Sequence, residues 1–262
     1  MKTITIRDDF STLKDFTANL PRTFDQQGLV IHNSRNVIKK IDTSDGTFVV
    51  KNFKGMYLFN RLAYSLFRQS KAARSYRHSA LLNEKGIATP PHVAWMDCYT
   101  MGLLTRSYFI SVFSPYRTLN EMVEYYEIYD KSLKQRLLED FAAFVRKLHS
   151  LDICHEDLSV GNILVIRTLE GYDFALVDLN RIKFRPIQFV EGLHNFAKLR
   201  MPADDLSTVI REYARLCGRD AESAVAEFWK FERRRTYLRQ MRRSIRRYTL
   251  TPIERIFHKP HP

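Results

Sequence analysis

Two carboxylates and one amide stand at fixed intervals between His155 and Asp178. The stretch opens His155-Glu156-Asp157-Leu158-Ser159-Val160-Gly161-Asn162-Ile163-Leu164-Val165 and closes on Phe174-Ala175-Leu176-Val177-Asp178. A hard cation such as Mg²⁺ prefers oxygen ligands, one or two from protein and the rest from phosphate and water, and Asn162 with Asp178 offers such a pair. Asp157, five residues before Asn162, is then free to accept the proton of an attacking hydroxyl. Each residue alone has a plainer reading: His155 as a core histidine, Asp157 as a turn cap, Asp178 as a surface carboxylate. Their order and spacing together favour the chemical reading.

The elements that must position them are legible around the stretch. Residues 163–166 and 174–177 are apolar runs of strand length, and Glu170-Gly171 between them suits a turn. Such a hairpin brings Asn162, just before its first strand, close to Asp178, at the end of its second. Upstream, Leu133, Leu137, Leu138, Phe141, Phe144, Val145 and Leu148 recur at helical spacing, predicting a long core helix that ends near His149.

Nearer the start, a helical lead-in over 10–24 precedes strands at 28–32, 36–41 and 47–53, the last two joined by Thr43-Ser44-Asp45-Gly46. Two further strands at 93–98 and 107–113 make a five-stranded sheet, followed by a hinge at Ser114-Pro115-Tyr116. Lys51, late in the third strand, reads on its own as a solvated lysine. Its place upstream of the 155–178 stretch favours contact with nucleotide phosphates. The loop His32-Asn33-Ser34-Arg35-Asn36 has no glycine, so its backbone, with Arg35 or Lys39, would have to do the work of a glycine-rich phosphate cover.

Residues 56–85 read as helical and mix aromatics with Lys54, Arg61, Arg68, Lys71, Arg74 and Arg77, closed by Gly86 and Pro90-Pro91. That pattern fits either a helix on an anionic membrane surface or a packing helix with solvated arginines. After Asp178 the next helix is expected near Asp204, leaving no long intervening segment. A helix over 205–216 closes at Gly218, and Asp220 caps a last one that runs into Arg233-Arg234-Arg235, Arg239, Arg242-Arg243 and Arg246-Arg247. So much charge of one sign favours phosphate-rich lipid or lipopolysaccharide as its partner.

With 262 residues, one large or two-lobed domain is expected. Cys98, Cys154 and Cys217 stand apart, which argues for a reducing compartment and against a zinc site. No run of apolar residues is long enough to span a bilayer, and the first residues lack the apolar region of a signal peptide, so a cytoplasmic location is expected. A net charge of +13 points to an anionic partner. Nucleic acid is not expected, since the aromatics are placed for packing and no nucleic-acid module is visible.

The spacing H-x-D-x-x-x-x-N with a later aspartate matches the phosphoryl-transfer template of the protein-kinase fold. With Ser70-Lys71-Ala72-Ala73-Arg74-Ser75-Tyr76, Gly86-Ile87-Ala88-Thr89-Pro90 and Val177-Asp178-Leu179-Asn180-Arg181-Ile182-Lys183-Phe184, the chain resembles the lipopolysaccharide kinase family of bacteria, the Kdo/heptose or InaA-type kinases. The resemblance covers roughly 28–200. It implies an α+β, two-lobed protein-kinase-like fold, with a small lobe over 1–113 and a mainly helical lobe over 114–262. It implies an ATP- and Mg²⁺-dependent transfer to a sugar hydroxyl of the lipopolysaccharide inner core (Kdo or heptose), at the cytosolic face of the inner membrane. Asp157 is then the base, Asn162 and Asp178 hold the metal, and Lys51 steadies the nucleotide. A minimal protein kinase and a membrane-associated pseudokinase are the alternatives. Two departures stand out: Glu156 where the family has glycine, and no acidic residue between Lys51 and Glu84. The helix glutamate that usually pairs with the lysine is therefore missing: either Lys51 pairs with Asp178 instead, or the enzyme is impaired.

Overall fold

The alternation Lys2-Thr3-Ile4-Thr5-Ile6 puts β-branched side chains on both sides of an extended chain, and it forms a strand, β1 (Lys2–Ile6). A computed structural model of the protein describes residues 1–53 and 69–257, with side chains up to residue 245. The first part of the helix predicted over 56–85 and the side chains of Arg246 and Arg247 lie outside the described residues. β1 joins β2 (Leu29–Asn33), β3 (Val37–Thr43), β4 (Gly46–Asn52), β5 (His92–Thr100) and β6 (Leu103–Val112) in one antiparallel sheet ordered β1-β5-β6-β4-β3-β2. The sheet thus has six strands, not the five expected. Lys2 to Ile6 pairs along its whole length with β5, where Ile4 lies opposite Met96. A five-residue strand at the chain start carries too little periodicity to be distinguished from the helical lead-in that follows it.

That lead-in is a 3₁₀ turn, Asp8–Leu13, continued by α1 (Lys14–Thr23). Leu13, Leu20 and Phe24 pack with Phe48, Val50, Met96, Tyr108 and Ile110 in the sheet's own core. The predicted β3–β4 hairpin closes around Ser44-Asp45, with Thr43 opposite Gly46.

α2 (Lys71–Glu84) begins at Ser70, whose hydroxyl accepts the Ala73 N–H at 3.0 Å. It ends before Gly86, which takes the left-handed conformation (φ +67°) that a side chain would strain. Beyond the sheet come α3 (Leu119–Tyr129) and α4 (Lys131–Ser150). A capping box at Thr118 and Glu121 starts α3, and Asp130 caps α4. α4 buries Leu137, Leu138, Phe141, Val145 and Leu148 on one stripe, each such side chain contributing about 1.5–3 kcal/mol. The chain then forms β7 (Ile153–His155), the hairpin β8 (Ile163–Arg167) and β9 (Tyr172–Leu176), and β10 (Ile182–Phe184), which returns to pair with β7. α5 (Phe189–Asn195), α6 (Ala203–Leu216) and α7 (Ala221–Phe257) complete the larger core. Leu82 and Ile87 also belong to that core, so the far end of α2 packs with the helices while its start lies near the sheet. The described residues thus form a mixed α/β fold with a large antiparallel sheet and seven α-helices.

One expectation is corrected here. The chain after Asp178 does not run without a helix to Asp204; β10 and α5 intervene. α5 is one short helix with Gly192 inside it, too brief to show a helical stripe. Gly192 is there because a side chain would strike Tyr213 and His149.

His149 is buried, its ring bonded to the Tyr213 hydroxyl at 2.9 Å and to Asn195 at 3.3 Å. Burial lowers its pKa to about 4. The unfolded chain takes up that proton near pH 6.5, so between those values the unfolded state binds more protons and stability falls as pH falls. The loss approaches about 3 kcal/mol by pH 4. His149→Gln should flatten this limb in urea melts at pH 4.5 and 7; an unchanged slope would assign the acid sensitivity elsewhere.

α7 is 37 residues and about 55 Å long. Ala224 and Phe228 are buried, but from Thr236 to Ile245 every residue is exposed. Among the described residues no helix is long and apolar enough to cross a membrane.

Candidate active site

Lys51 and Asp178 meet across the boundary between the sheet and the hairpin. Lys51 sits on β4, between Ile38 of β3 and Phe109 of β6, with its side chain 9% exposed and its ammonium over the Phe53 ring at 5.1 Å. The Lys51 Nζ reaches Asp178 Oδ1 at 2.6 Å. Asp178 follows β9 in the left-handed conformation (φ 56°, ψ 52°) and turns the chain into a 3₁₀ turn, Leu179–Arg181. Aspartate tolerates that conformation better than most side chains. Burial pushes the Asp178 carboxyl up, but the touching Lys51 ammonium more than offsets it, so the group lies below its ordinary range and stays ionised. Asn180 also donates its amide N–H to Asp178 Oδ1.

The hairpin brings Asn162 to this end of the site as expected: the Val177 N–H donates to the Asn162 carbonyl at 3.0 Å. Asn162 Nδ2 donates to the Asp157 carbonyl at 2.9 Å, which braces the loop carrying Asp157. His155 is 1% exposed and bridges the same loop. Its Nδ1 accepts the Asp157 N–H at 3.2 Å, so the ring proton is on Nε2, which donates to the Val177 carbonyl at 3.1 Å. Burial lowers its pKa and keeps it neutral. His155 therefore holds the backbone on both sides of the site and is not free to move protons.

Two residues near the site had no role assigned from sequence. Arg181 places a guanidinium nitrogen 3.6 Å from Asp157 Oδ2, and its carbonyl accepts the Glu156 N–H at 3.1 Å. Asn180 holds Asp178. Both lie in the quoted Asp178-Leu179-Asn180-Arg181 run, but only the tertiary turn shows that Arg181 points back to Asp157.

The donor set fits a hard divalent ion. Asn162 Nδ2 is committed to backbone, which leaves its Oδ1 as a ligand. Asp178 Oδ1 carries Lys51 and Asn180, which leaves Oδ2 without a protein partner among the described residues. Two hard oxygens on half-buried residues suit a cation that keeps phosphate and water for its other positions. No group of three or more His, Cys, Asp or Glu that could bind a metal without phosphate occurs among the described residues.

A cavity of about 860 Å³ lies elsewhere, behind the β8–β9 hairpin, where Arg136, Asp140, Phe144 and Lys147 face Leu169 and Tyr172. It contains none of Lys51, Asp157, Asn162 or Asp178. The convergence of charged groups, rather than cavity volume, marks the chemistry.

Comparison with known proteins shows the family. The chain is 22% identical over 142 residues to a 3-deoxy-D-manno-octulosonic acid kinase of Actinobacillus succinogenes, a stretch covering 54% of this chain and 57% of that one. Its fold is similar to the solved structure of WaaP in complex with acyl carrier protein, with a TM-score of 0.61 and 17% identity, over 89% of this chain and 97% of that one. A model of the lipopolysaccharide kinase (Kdo/WaaP) family matches residues 36–218, which include all four predicted site residues, and the chain belongs to that family.

Proposed function

We propose that this protein is an ATP-dependent kinase that transfers the γ-phosphoryl group to a sugar hydroxyl of the lipopolysaccharide inner core, Kdo or heptose, at the cytosolic face of the inner membrane. The observation that carries this reading is the junction of Lys51 and Asp178 beside the Asn162–Asp157 brace. It supports a nucleotide-side pair and an acceptor-side carboxylate on neighbouring segments of chain. Family membership supplies the reaction class.

In this reading the residues from 1 to 113 form a nucleotide-binding lobe and those from 114 onward a second, catalytic one. Lys51 contacts the α/β phosphates and Asp178 stays ionised beside it. Asn162 Oδ1 and Asp178 Oδ2 would hold Mg²⁺, which when bound neutralises phosphate charge. Asp157 accepts the hydroxyl proton of the acceptor, and the Asn162 and His155 hydrogen bonds fix the loop on which it sits. Arg181, 3.6 Å away, helps aim the Asp157 carboxylate. Most of the rate then comes from holding the acceptor oxygen in line with the γ-phosphorus.

The exposed end of α7 supports a membrane-facing position. Tyr237, Leu238, Met241 and Ile245 recur at helical spacing and are all exposed, flanked by Arg233, Arg234, Arg239, Arg242 and Arg243. Apolar residues bordered by arginines suit the headgroup region of an anionic bilayer. Substituting Leu238, Met241 and Ile245 by serine should weaken binding to phosphatidylglycerol vesicles by about tenfold without lowering Tm; unchanged vesicle binding would remove α7 from this role.

The function itself is tested by mass spectrometry of lipopolysaccharide from cells with and without this protein. Loss of one phosphate from an inner-core sugar is expected. If labelled ATP puts phosphate into protein and none into glycolipid, the sugar-kinase reading fails.

A further inference from the structure

The start of α2 carries charge that the reading above does not use. α2 has no acidic residue before Glu84, and its first turn carries Lys71 and Arg74. α2 packs on the turn at Leu179–Arg181, and His78 is bonded to the Leu179 carbonyl at 2.7 Å, so the helix that carries these cations lies against the turn that ends in Arg181. Lys71 is half-buried, and burial together with the charges of Arg181, Arg35, Arg74 and Lys51 holds its ammonium below the ordinary range. Lys71 thus lies within electrostatic reach of four other cations, and the five come from four separate parts of the chain. The two carboxylates at the site, Asp157 and Asp178, are already engaged by Arg181 and Lys51. Among the described residues Lys71, Arg74 and Arg35 have no ion-pair partner, and Arg74 Nε is shielded from solvent with no hydrogen-bond acceptor. Gathering unpaired cations in a half-buried place is unfavourable unless an anion completes it.

We infer that Lys71 and Arg74, with Arg181, form an anion subsite that holds a carboxylate or phosphate on the acceptor sugar and so sets which hydroxyl meets Asp157. The inference rests on the kinase reading and adds the substrate feature it recognises. Position argues for the acceptor over the nucleotide. Lys51 and Asp178 mark the nucleotide side, whereas Arg181 touches Asp157, the group that must meet the acceptor hydroxyl. A planar guanidinium suits the two oxygens of a carboxylate or phosphate.

Two equilibrium titrations on the full-length protein test this, and neither needs turnover. One uses Mg–ATP. The other, in the presence of a non-hydrolysable ATP analogue, uses the methyl glycoside of Kdo as the carboxylate probe and a heptose phosphate as the phosphate probe. Lys71→Ala/Arg74→Ala should weaken binding of one of these anionic sugars by at least about tenfold, with Mg–ATP affinity changed less than about twofold. Whichever sugar loses affinity names the anion. Lys71→Arg/Arg74→Lys, which keeps both charges, should retain most of the binding. Weakened Mg–ATP binding would overturn the inference by assigning the cluster to the nucleotide, and so would unchanged binding of both sugars. In a separate assay, wild-type protein that binds the sugar but does not phosphorylate it would count against the kinase reading and leave the subsite standing.

Discussion

Asp157→Asn should lower kcat by about 10³-fold while Mg–ATP affinity stays within about twofold of wild type. The amide cannot take the hydroxyl proton, but it has nearly the shape of the carboxylate. The loop is held through backbone atoms, the Asp157 N–H to His155 and its carbonyl to Asn162, so the substitution leaves the brace in place. Arg181, 3.6 Å away, loses a weak and partly exposed ion pair, which costs little stability. Rapid-quench kinetics with a lipopolysaccharide acceptor would separate the step from product release. Turnover close to wild type would remove Asp157 as the base.

The second large effect belongs to the Lys51–Asp178 pair. Asp178→Asn takes away the carboxylate beside a lysine that is almost wholly covered and leaves the ammonium without a counter-charge. Such a loss in a fully buried pair costs several kcal/mol. Asp178 is 26% exposed, so water softens it and about 2 kcal/mol is expected in urea denaturation. Activity should vanish as well, because one of the two oxygens that fit Mg²⁺ goes with the charge. Lys51→Met in the same chain should restore most of the stability and none of the activity, since it removes the stranded cation but also the phosphate contact. If the double variant is as unstable as the sum of the two single ones, the two side chains are not coupled and the pair is not what joins sheet to hairpin.

Much of this arrangement was legible in the sequence because it is local. Asp157, Asn162 and Asp178 lie on one loop and one hairpin, where spacing along the chain nearly dictates spacing in space. The pairing of Lys51 with Asp178 was also open to inference, since no acidic residue stands between Lys51 and Glu84. What escaped depends on packing between distant segments. β1 is five residues with no strong stripe and becomes a strand only by pairing with β5. α5 is shorter than two full helical periods, and its Gly192 is explained by Tyr213, far along the chain. No role at the site was assigned from sequence to Arg181 or Lys71, because only packing lays α2 against the turn that follows Asp178. The apolar residues among the arginines of α7 were present in the sequence, but only the structure shows that Tyr237, Leu238 and Met241 are exposed.

The tie between Lys51 and Asp178 has a regulatory consequence. In kinases whose lysine is held by a helix glutamate, swinging that helix switches the enzyme on and off. Here the lysine is anchored to the turn after the hairpin, and rotating α2 would leave the anchor intact. Among the described residues, α2 offers Lys51 no carboxylate partner on which such a lever could act.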